Sequence, residues 1–380
     1  MKNNDFYSNI NNLKSKIIQM LNERRESIKA TDTEAPDIIW TETLSYFDYL
    51  INLPAEDYWK IRLHTSPITG EFVYHYWHKH PFIDPESFAG ESGYKILTDD
   101  IPDKFKIGEK PVPNSDIPLG ITYEGKVVNK DISRYQSCIS NLYYSGILNK
   151  ILDQEDKKTI LEIGGGYGGL AHHLGEITKG KATYILLDFP EMLLISGAYL
   201  YVNNPNENIY IYDKNSFDSD FLKNKIHDYD YILIPTDAIK DLYSLKDLFL
   251  MINMQSFQEM NEAQIDAYAK FGSEKLSGYL YSNNIDRHPM NKELKPLTVT
   301  DILSRHYKLF PEPELYNDPS LYSDHPWYYR FYIGTPKNLS QEYNKEAFMK
   351  IRAYVPDNMI SSVGYHPVKW RNVYFHSQNR

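Results

Sequence analysis

Five glycines occupy six consecutive positions from Gly164 to Gly169, interrupted only by Tyr167. The residues before them, 159–163, form a short apolar run that is typical of a buried parallel strand. Apolar side chains at helical spacing follow them. Because no Cβ shields the main-chain N–H groups of such a turn, a nucleotide can approach them closely. The stretch therefore predicts the strand, turn and helix with which a nucleotide-binding βαβ unit begins.

Two classes of nucleotide cofactor use such a turn, and the glycine spacing satisfies both. Gly164, Gly166 and Gly169 fit GxGxxG, the dinucleotide pattern of NAD(P)-dependent oxidoreductases. Gly164, Gly166 and Gly168 fit the GxGxG of class I methyltransferases, which use S-adenosylmethionine (SAM). Glu162 favours the second class, because a carboxylate at the tip of a strand suits a methionyl ammonium group and repels a pyrophosphate. An oxidoreductase remains the alternative from another class of enzyme.

The stretch resembles motif I of the SAM-dependent methyltransferases, and the resemblance implies that it holds SAM as the cofactor. The residues of the motif that would contact SAM are Glu162, Gly164, Gly165, Gly166 and Gly168. A second strand, 182–188, ends in Asp188, whose carboxylate can accept hydrogen bonds from both ribose hydroxyls. Phe189 is then expected to lie against the adenine.

The third strand of the unit is ambiguous, since 208–213 and 229–237 both have the pattern of a strand. We favour the second segment, because the fourth strand, which ends at Asn253, follows it closely. Asp213 and Asp237 thus compete for the place beside the adenine, and the preferred order of strands selects Asp237. Asn253 itself is also expected to contact SAM.

Transfer of a methyl group to a hydroxyl requires alignment of the acceptor oxygen and removal of its proton. Glu259 follows the fourth strand and His288 follows the fifth, and both loops should meet at one edge of the sheet. We therefore expect one of them to be the catalytic base, with Asp286 orienting the imidazole and His325 as a third candidate. A divalent cation such as Mg²⁺, held by Glu259 and Asp286, could replace the base, although the sequence does not indicate a metal site.

Four segments resemble the sugar O-methyltransferases encoded in bacterial gene clusters for surface polysaccharides: 133–135, 161–168, 187–190 and 252–260. The resemblance extends over residues 131–333 and implies transfer of a methyl group from SAM to a hydroxyl of a sugar or nucleotide sugar. A hydroxyl or amine of a small natural product is the alternative acceptor within the same class. The residues expected to contact the acceptor are Arg134, Tyr135, Ser256, Asn283 and Asp286.

The order of these elements predicts an α/β fold. We expect a Rossmann-like class I methyltransferase domain with a seven-stranded, mostly parallel sheet whose last strand is antiparallel. Residues 1–130 are expected to form a helical and irregular N-terminal cap that selects the substrate. Residues 131–336 form the predicted SAM-binding domain, and residues 337–380 a C-terminal extension.

The composition argues against several other functions. A net charge of −10 and an isoelectric point near 5.7, without a long Lys/Arg cluster, argue against binding to nucleic acid. A single cysteine, Cys138, excludes a disulfide framework and a thiolate-rich zinc site. His75, His78 and His80 are more typical of surface or packing residues than of a metal site. No signal peptide and no apolar run of about 18 residues is visible. We therefore expect a cytoplasmic protein without membrane insertion, either a monomer or a homo-oligomer.

Overall fold

The structure is a computed structural model, and it describes residues 3–27, 38–69, 94–98, 101–285, 291, 297–311 and 329–340. Several sequence predictions lie outside the described residues, namely those for His75, His78, His80, Asp286, His288, His325 and the C-terminal extension beyond residue 340.

The described chain is organised around an eight-stranded sheet with the order β5-β6-β4-β3-β7-β8-β10-β9. Its strands are β3 (Lys158–Ile163), β4 (Ala182–Asp188), β5 (Ile209–Ile211), β6 (Tyr231–Pro235), β7 (Leu248–Met254), β8 (Leu276–Ile285), β9 (Tyr307–Pro311) and β10 (Tyr329–Pro336). A separate hairpin pairs β1 (Ile121–Tyr123) with β2 (Lys126–Val128). The strands from β3 to β8 pair in parallel, whereas β10 runs antiparallel to both β8 and β9.

This topology confirms the predicted fold class, a Rossmann-like sheet that is mainly parallel and has an antiparallel last strand. The sheet has one strand more than the predicted seven, because both candidates for the third strand form strands. β6 is buried along its whole length and lies beside β4, as expected for 229–237. β5 is short and only partly buried, which suits its position at the edge of the sheet.

The order of strands reverses beside β3, since β4 lies on one side of it and β7 on the other. β3 and β4 consist mainly of buried aliphatic residues, as expected for central strands that are covered on both faces. In open α/β sheets, ligands bind beyond the carboxyl ends of the strands at such a reversal. The sheet therefore places the ends of β3, β4 and β7 around a common crevice.

Helices precede the sheet and alternate with its strands. They are α1 (Asn3–Ser27), α2 (Ile38–Ser45), α3 (Asp48–Asn52), α4 (Ser66–Thr69), α5 (Tyr94–Thr98), α6 (Lys130–Tyr144), α7 (Ile147–Leu152), α8 (Gly169–Ile177), α9 (Pro190–Asn203), α10 (Ser219–Asn224), α11 (Glu262–Lys275) and α12 (Val299–His306). Shorter 3₁₀ segments include Ala55–His64, Thr236–Ser244 and Phe257–Glu259. In the ranges that the structure describes, no helix is long and apolar enough to cross a membrane.

The described part of the N-terminal region packs directly on the α/β part. α1 lies against α9, and its side chains Phe6, Ile10 and Leu13 are fully buried. Arg24 of α1 also pairs with both carboxylate oxygens of Glu191 in α9. All these apolar side chains belong to the same core as the central sheet. The division of the chain at residue 130 stays a prediction, and the two parts share one hydrophobic core.

Candidate active site

A cavity of about 150 Å³ opens at the carboxyl ends of β3, β4 and β7, where the order of strands reverses. Its described lining includes the glycine turn, the ends of these strands and residues of α2, α4, α6, α9 and α11. Ten of the predicted site residues line it: Arg134, Tyr135, Glu162, Gly164, Gly165, Gly166, Asp188, Phe189, Ser256 and Glu259. The structure thus brings together residues that are up to 125 positions apart in the chain (259 − 134).

The glycine turn is shaped by close packing at its first position. Gly164 has a φ of 72°, in the left-handed region that residues other than glycine rarely adopt. A Cβ at this position would overlap the side chain of Ser256. Gly166 and Gly168 also have positive φ values, of 56° and 83°. All three glycines of the GxGxG spacing therefore adopt the left-handed conformation. Gly168 caps α8 and does not belong to the cavity lining.

Glu162 stands at the end of β3 with only 3% of its surface exposed. Its Oε2 accepts a hydrogen bond from the hydroxyl of Tyr184 at 2.8 Å. Burial raises the pKa of Glu162 to about 7, and the nearby charge of Asp188 adds to this effect, while the hydrogen bond from Tyr184 opposes it. The cavity is therefore bordered by a carboxyl group that has no cation beside it among the described residues. A cation bound in the cavity would stabilise its ionised form.

Asp188 ends β4 on the other side of the glycine turn. Its Oδ2 accepts a hydrogen bond from the N–H of Gly166, and its Oδ1 accepts one from the N–H of Phe189, both at 2.8 Å. Burial raises the pKa of Asp188 to about 7 against the effect of these two hydrogen bonds. A carboxylate has about four lone-pair sites, so Asp188 can still accept hydrogen bonds from two hydroxyls.

Glu259 lies at the end of the 3₁₀ segment that follows β7, and a residue of the N-terminal region holds it in place. Its Oε2 accepts a hydrogen bond from Nε1 of Trp40 in α2 at 2.8 Å. The ring of Trp40 also lies near that of Phe189, with 6.2 Å between the centroids. Ile68 and Thr69, at the end of α4, complete this side of the cavity. No sequence motif pointed to these three N-terminal residues.

Arg134 and Tyr135 enter the cavity from α6. Arg134 donates a hydrogen bond to the carbonyl of Thr69 at 3.1 Å and pairs with Asp131 at 3.2 Å. Tyr135 packs edge-on against Tyr167 of the glycine turn, with 6.0 Å between the ring centroids. The two residues thus connect α6 with the end of α4 and with the turn.

Besides Gly168, three further predicted site residues in the described ranges do not belong to the cavity lining: Asn253, Asn283 and Asp237. Asn253 is fully buried, and its side chain donates to the carbonyl of Ile163 at 2.9 Å and accepts from the N–H of Phe257 at 3.0 Å. It therefore ties the ends of β3 and β7 together behind the cavity wall. Asn283 is buried within β8.

Neither aspartate that competed for the adenine lines the cavity. Asp213 pairs with Lys16 of α1, away from the glycine turn. Asp237 lies in the 3₁₀ segment after β6, and its neighbour Thr236 lines the cavity instead. The hydroxyl of Thr236 is buried and makes no hydrogen bond within the described structure, so it is a candidate contact for a ligand that was missed in the sequence.

A buried ion cluster lies beneath the glycine turn. Arg62, from the 3₁₀ segment Ala55–His64, is 4% exposed and contacts Glu109 at 2.8 Å and Asp131 at 2.9 Å. Its guanidinium carbon lies 4.5 Å from the ring centre of Tyr167. Although burial opposes it, the two carboxylates raise the pKa of Arg62 well above its usual value. The cluster joins the N-terminal region, α6 and the turn. Within the ranges described, no group of three His, Cys, Asp or Glu residues is arranged to hold a metal ion.

Comparison with protein-family models finds no match, and comparison with curated proteins finds none either. Among solved structures, the DszA carbon methyltransferase is similar at 13% identity with a TM-score of 0.34, over 56% of this chain and 55% of its own. The mitomycin 7-O-methyltransferase MmcR has 12% identity and a TM-score of 0.30, over 55% and 57%. A fibrillarin pre-rRNA processing protein of Methanococcus jannaschii has 11% identity and a TM-score of 0.30, over 48% and 68%. The chain thus spans little more than half the length of the two methyltransferases. With scores this low, the fold rests on the strand order.

Proposed function

We propose that this chain is a SAM-dependent O-methyltransferase that acts on a hydroxyl of a sugar or nucleotide sugar. The observation that carries the proposal is the buried carboxyl of Glu162 at the mouth of the glycine turn. A dinucleotide would bring its pyrophosphate to this turn, where the carboxylate would repel it. The ammonium group of SAM would instead supply the missing cation. The sugar acceptor follows from the sequence resemblance.

The residues present fit SAM along its length. The glycine turn leaves no Cβ in the way of a ligand, Glu162 lines the cavity and would hold the ammonium group, and Asp188 retains lone pairs for the ribose hydroxyls. Phe189 and Trp40 offer ring surfaces for an adenine beside them. When bound, SAM supplies a methyl group on a sulfonium, so the protein need not generate an electrophile.

Alignment and deprotonation of the acceptor fall to other residues of the cavity lining. Glu259 would accept the proton of the acceptor hydroxyl. The hydrogen bond from Trp40 supports this role, because it fixes the direction of the carboxylate. Arg134, Tyr135 and Ser256 line the same space and can position the acceptor. Because Trp40, Ile68 and Thr69 also line it, we assign part of the choice of acceptor to the N-terminal region.

SAM binding should release protons below neutral pH. Glu162 and Asp188 each have a pKa of about 7, so both are largely protonated at pH 6, and a bound ammonium and ribose favour their ionised forms. We expect release of one to two protons per SAM at about pH 6, where an α-amino group is still fully protonated. Affinity should then rise with pH up to about 7, by at most about tenfold per pH unit for each proton released.

Calorimetry in two buffers with different ionisation enthalpies measures this release. The variant Glu162→Gln serves as the control, since it should release fewer protons and bind SAM more weakly. A flat affinity between about pH 5.5 and 7 without proton release would contradict the assignment of both carboxylates.

A transfer assay tests the acceptor class. Methyl-labelled SAM would be incubated with the full chain and three panels of compounds: nucleotide sugars, free hexoses, and phenols or amines of small natural products. The proposal predicts label on a sugar hydroxyl. Label on compounds of the third panel alone would support the assignment as a methyltransferase and contradict the assignment of a sugar as the acceptor.

A further inference from the structure

Gln255, directly after β7, holds a backbone conformation that its residue type disfavours. Its φ is 57°, in the left-handed region. In the ranges described, the other non-glycine residues with positive φ are Asn114, Glu124 and Asp247. Asn and Asp tolerate this conformation best, and Glu124 precedes a glycine in the turn of a hairpin. Of these four residues, Gln255 alone lines the cavity.

The conformation of Gln255 has an identifiable cause. Its N–H donates to the carbonyl of Asn283 in β8 at 2.7 Å, which fixes the chain at the end of β7. The next residue, Ser256, fills the space beside Gly164 where a Cβ would stand. The chain must therefore turn sharply between these two contacts. A glycine would make this turn without strain, so the turn does not explain why a long amide side chain stands here.

Other described residues do not explain the amide either. The side chain of Gln255 makes no hydrogen bond within the part of the chain that the structure describes, and the residue is partly exposed in the cavity wall. Strained backbone at a binding cleft persists when the side chain it presents has a role there. An amide that is held at a cavity and has both donors and an acceptor to spare is suited to a polar ligand.

The strand register indicates which part of the ligand Gln255 faces. Glu162 pairs with Ile252 and Ile163 with Asn253, and Gln255 follows two residues after Asn253. Because β3 lies between β4 and β7, Gln255 and Asp188 stand on opposite sides of Glu162. Neighbouring strands are about 4.8 Å apart, and the three strand ends together span about 10 Å.

We propose, on the basis of the proposed function, that Gln255 binds the amino-acid group of SAM. Asp188 at the end of β4 would hold the ribose, and Glu162 on β3 would hold the ammonium group. The methionyl carboxylate would then lie on the side of β7, where Gln255 stands. The NH₂ group of an amide can donate a hydrogen bond to that carboxylate. It adds no positive charge that would repel the ammonium held by Glu162. The strain at Gln255 is thus the cost of aiming this amide into the site.

Two ligands that differ only in the amino-acid part test the assignment. S-Adenosylhomocysteine has the complete amino-acid group, whereas 5′-methylthioadenosine has the adenine, ribose and thioether without it. For Gln255→Gly, we expect about tenfold weaker binding of S-adenosylhomocysteine, as for the loss of a hydrogen bond to a charged group. Binding of 5′-methylthioadenosine should not change. The urea midpoint should rise, because glycine relieves the strain.

Asp247→Gly is the matched control, since Asp247 has a φ of 61° at the other end of β7 and does not line the cavity. Its urea midpoint should also rise, with both affinities unchanged. Equal weakening of both ligands by Gln255→Gly, or no weakening of either, would overturn the assignment. If the wild-type chain binds neither ligand, the proposed function itself is wrong, and this assignment fails with it.

Discussion

Replacing Glu259 by glutamine is expected to lower kcat at least about 100-fold and to leave the affinity for SAM nearly unchanged. A sugar hydroxyl is barely ionised near neutral pH, and a positioned base typically contributes about 10²–10⁴-fold to the rate. Glu259 lines the cavity and its carboxylate is held by Trp40. The amide of glutamine keeps the shape of the side chain but cannot accept the proton. Steady-state kinetics and SAM titration of the same protein sample measure both quantities.

Two comparisons make this result specific. Glu262→Gln changes a neighbouring acid that pairs with Arg305 at the surface, and it should leave kcat unchanged. His288→Asn tests the other predicted base, which lies outside the described residues. A histidine base should give activity that rises through about pH 6–7. Full activity of Glu259→Gln would contradict its role, and loss of turnover on chelation, restored by Mg²⁺, would assign the role to an ion.

Replacing Arg62 by methionine is expected to lower the free energy of unfolding by about 3–5 kcal/mol. The substitution removes the cation between Glu109 and Asp131, both of which are buried. Glu109 would then remain in the core without the cation that pairs with it, while Asp131 would keep its longer contact with Arg134 at 3.2 Å. Urea unfolding followed by circular dichroism measures the change.

Arg305→Met is the matched control for this prediction. Arg305 also pairs with two acids, Glu262 and Asp266, but its side chain is 40% exposed. Arg305→Met should lower the free energy of unfolding by at most about 1 kcal/mol, since exposed ion pairs contribute little to stability. In the double variant Arg62→Met/Glu109→Gln, part of the lost stability should return, because one of the two buried charges is removed. A cost for Arg62→Met as small as that for Arg305→Met would show that the buried cluster does not stabilise the fold.

The part of the fold and site that local sequence encodes could be predicted. Glu162 and the glycines lie next to each other in the chain, and Asp188 ends the next buried strand, so spacing alone indicated that they meet. The central strands were also recognisable, because burial on both faces leaves a continuous apolar run. The sequence offered two candidates for the third strand, and both of them form strands, β5 and β6. Short apolar runs could not show whether one or both of these segments belong to the sheet.

The rest of the site depends on contacts between distant parts of the chain. Trp40 in α2 contacts Glu259 after β7, although 219 positions separate them in the chain. No spacing of residues in the sequence indicates that these two segments meet. Asn253 was expected in the site because it ends a central strand. Its amide is instead used to join β3 and β7, and the direction of a side chain at a strand end is set by the turn that follows. Gln255 was missed because its left-handed backbone arises from the packing of Ser256 on Gly164.

The central claim, that the cavity at the glycine turn binds SAM, is tested most directly by titration calorimetry of the full chain with SAM and, separately, with NADPH. We predict saturable binding of one SAM per chain and no heat of binding with NADPH, because Glu162 favours an ammonium group and repels a pyrophosphate. Saturable binding of NADPH without binding of SAM would contradict the claim and indicate the oxidoreductase instead. Absence of binding for both cofactors would contradict it as well.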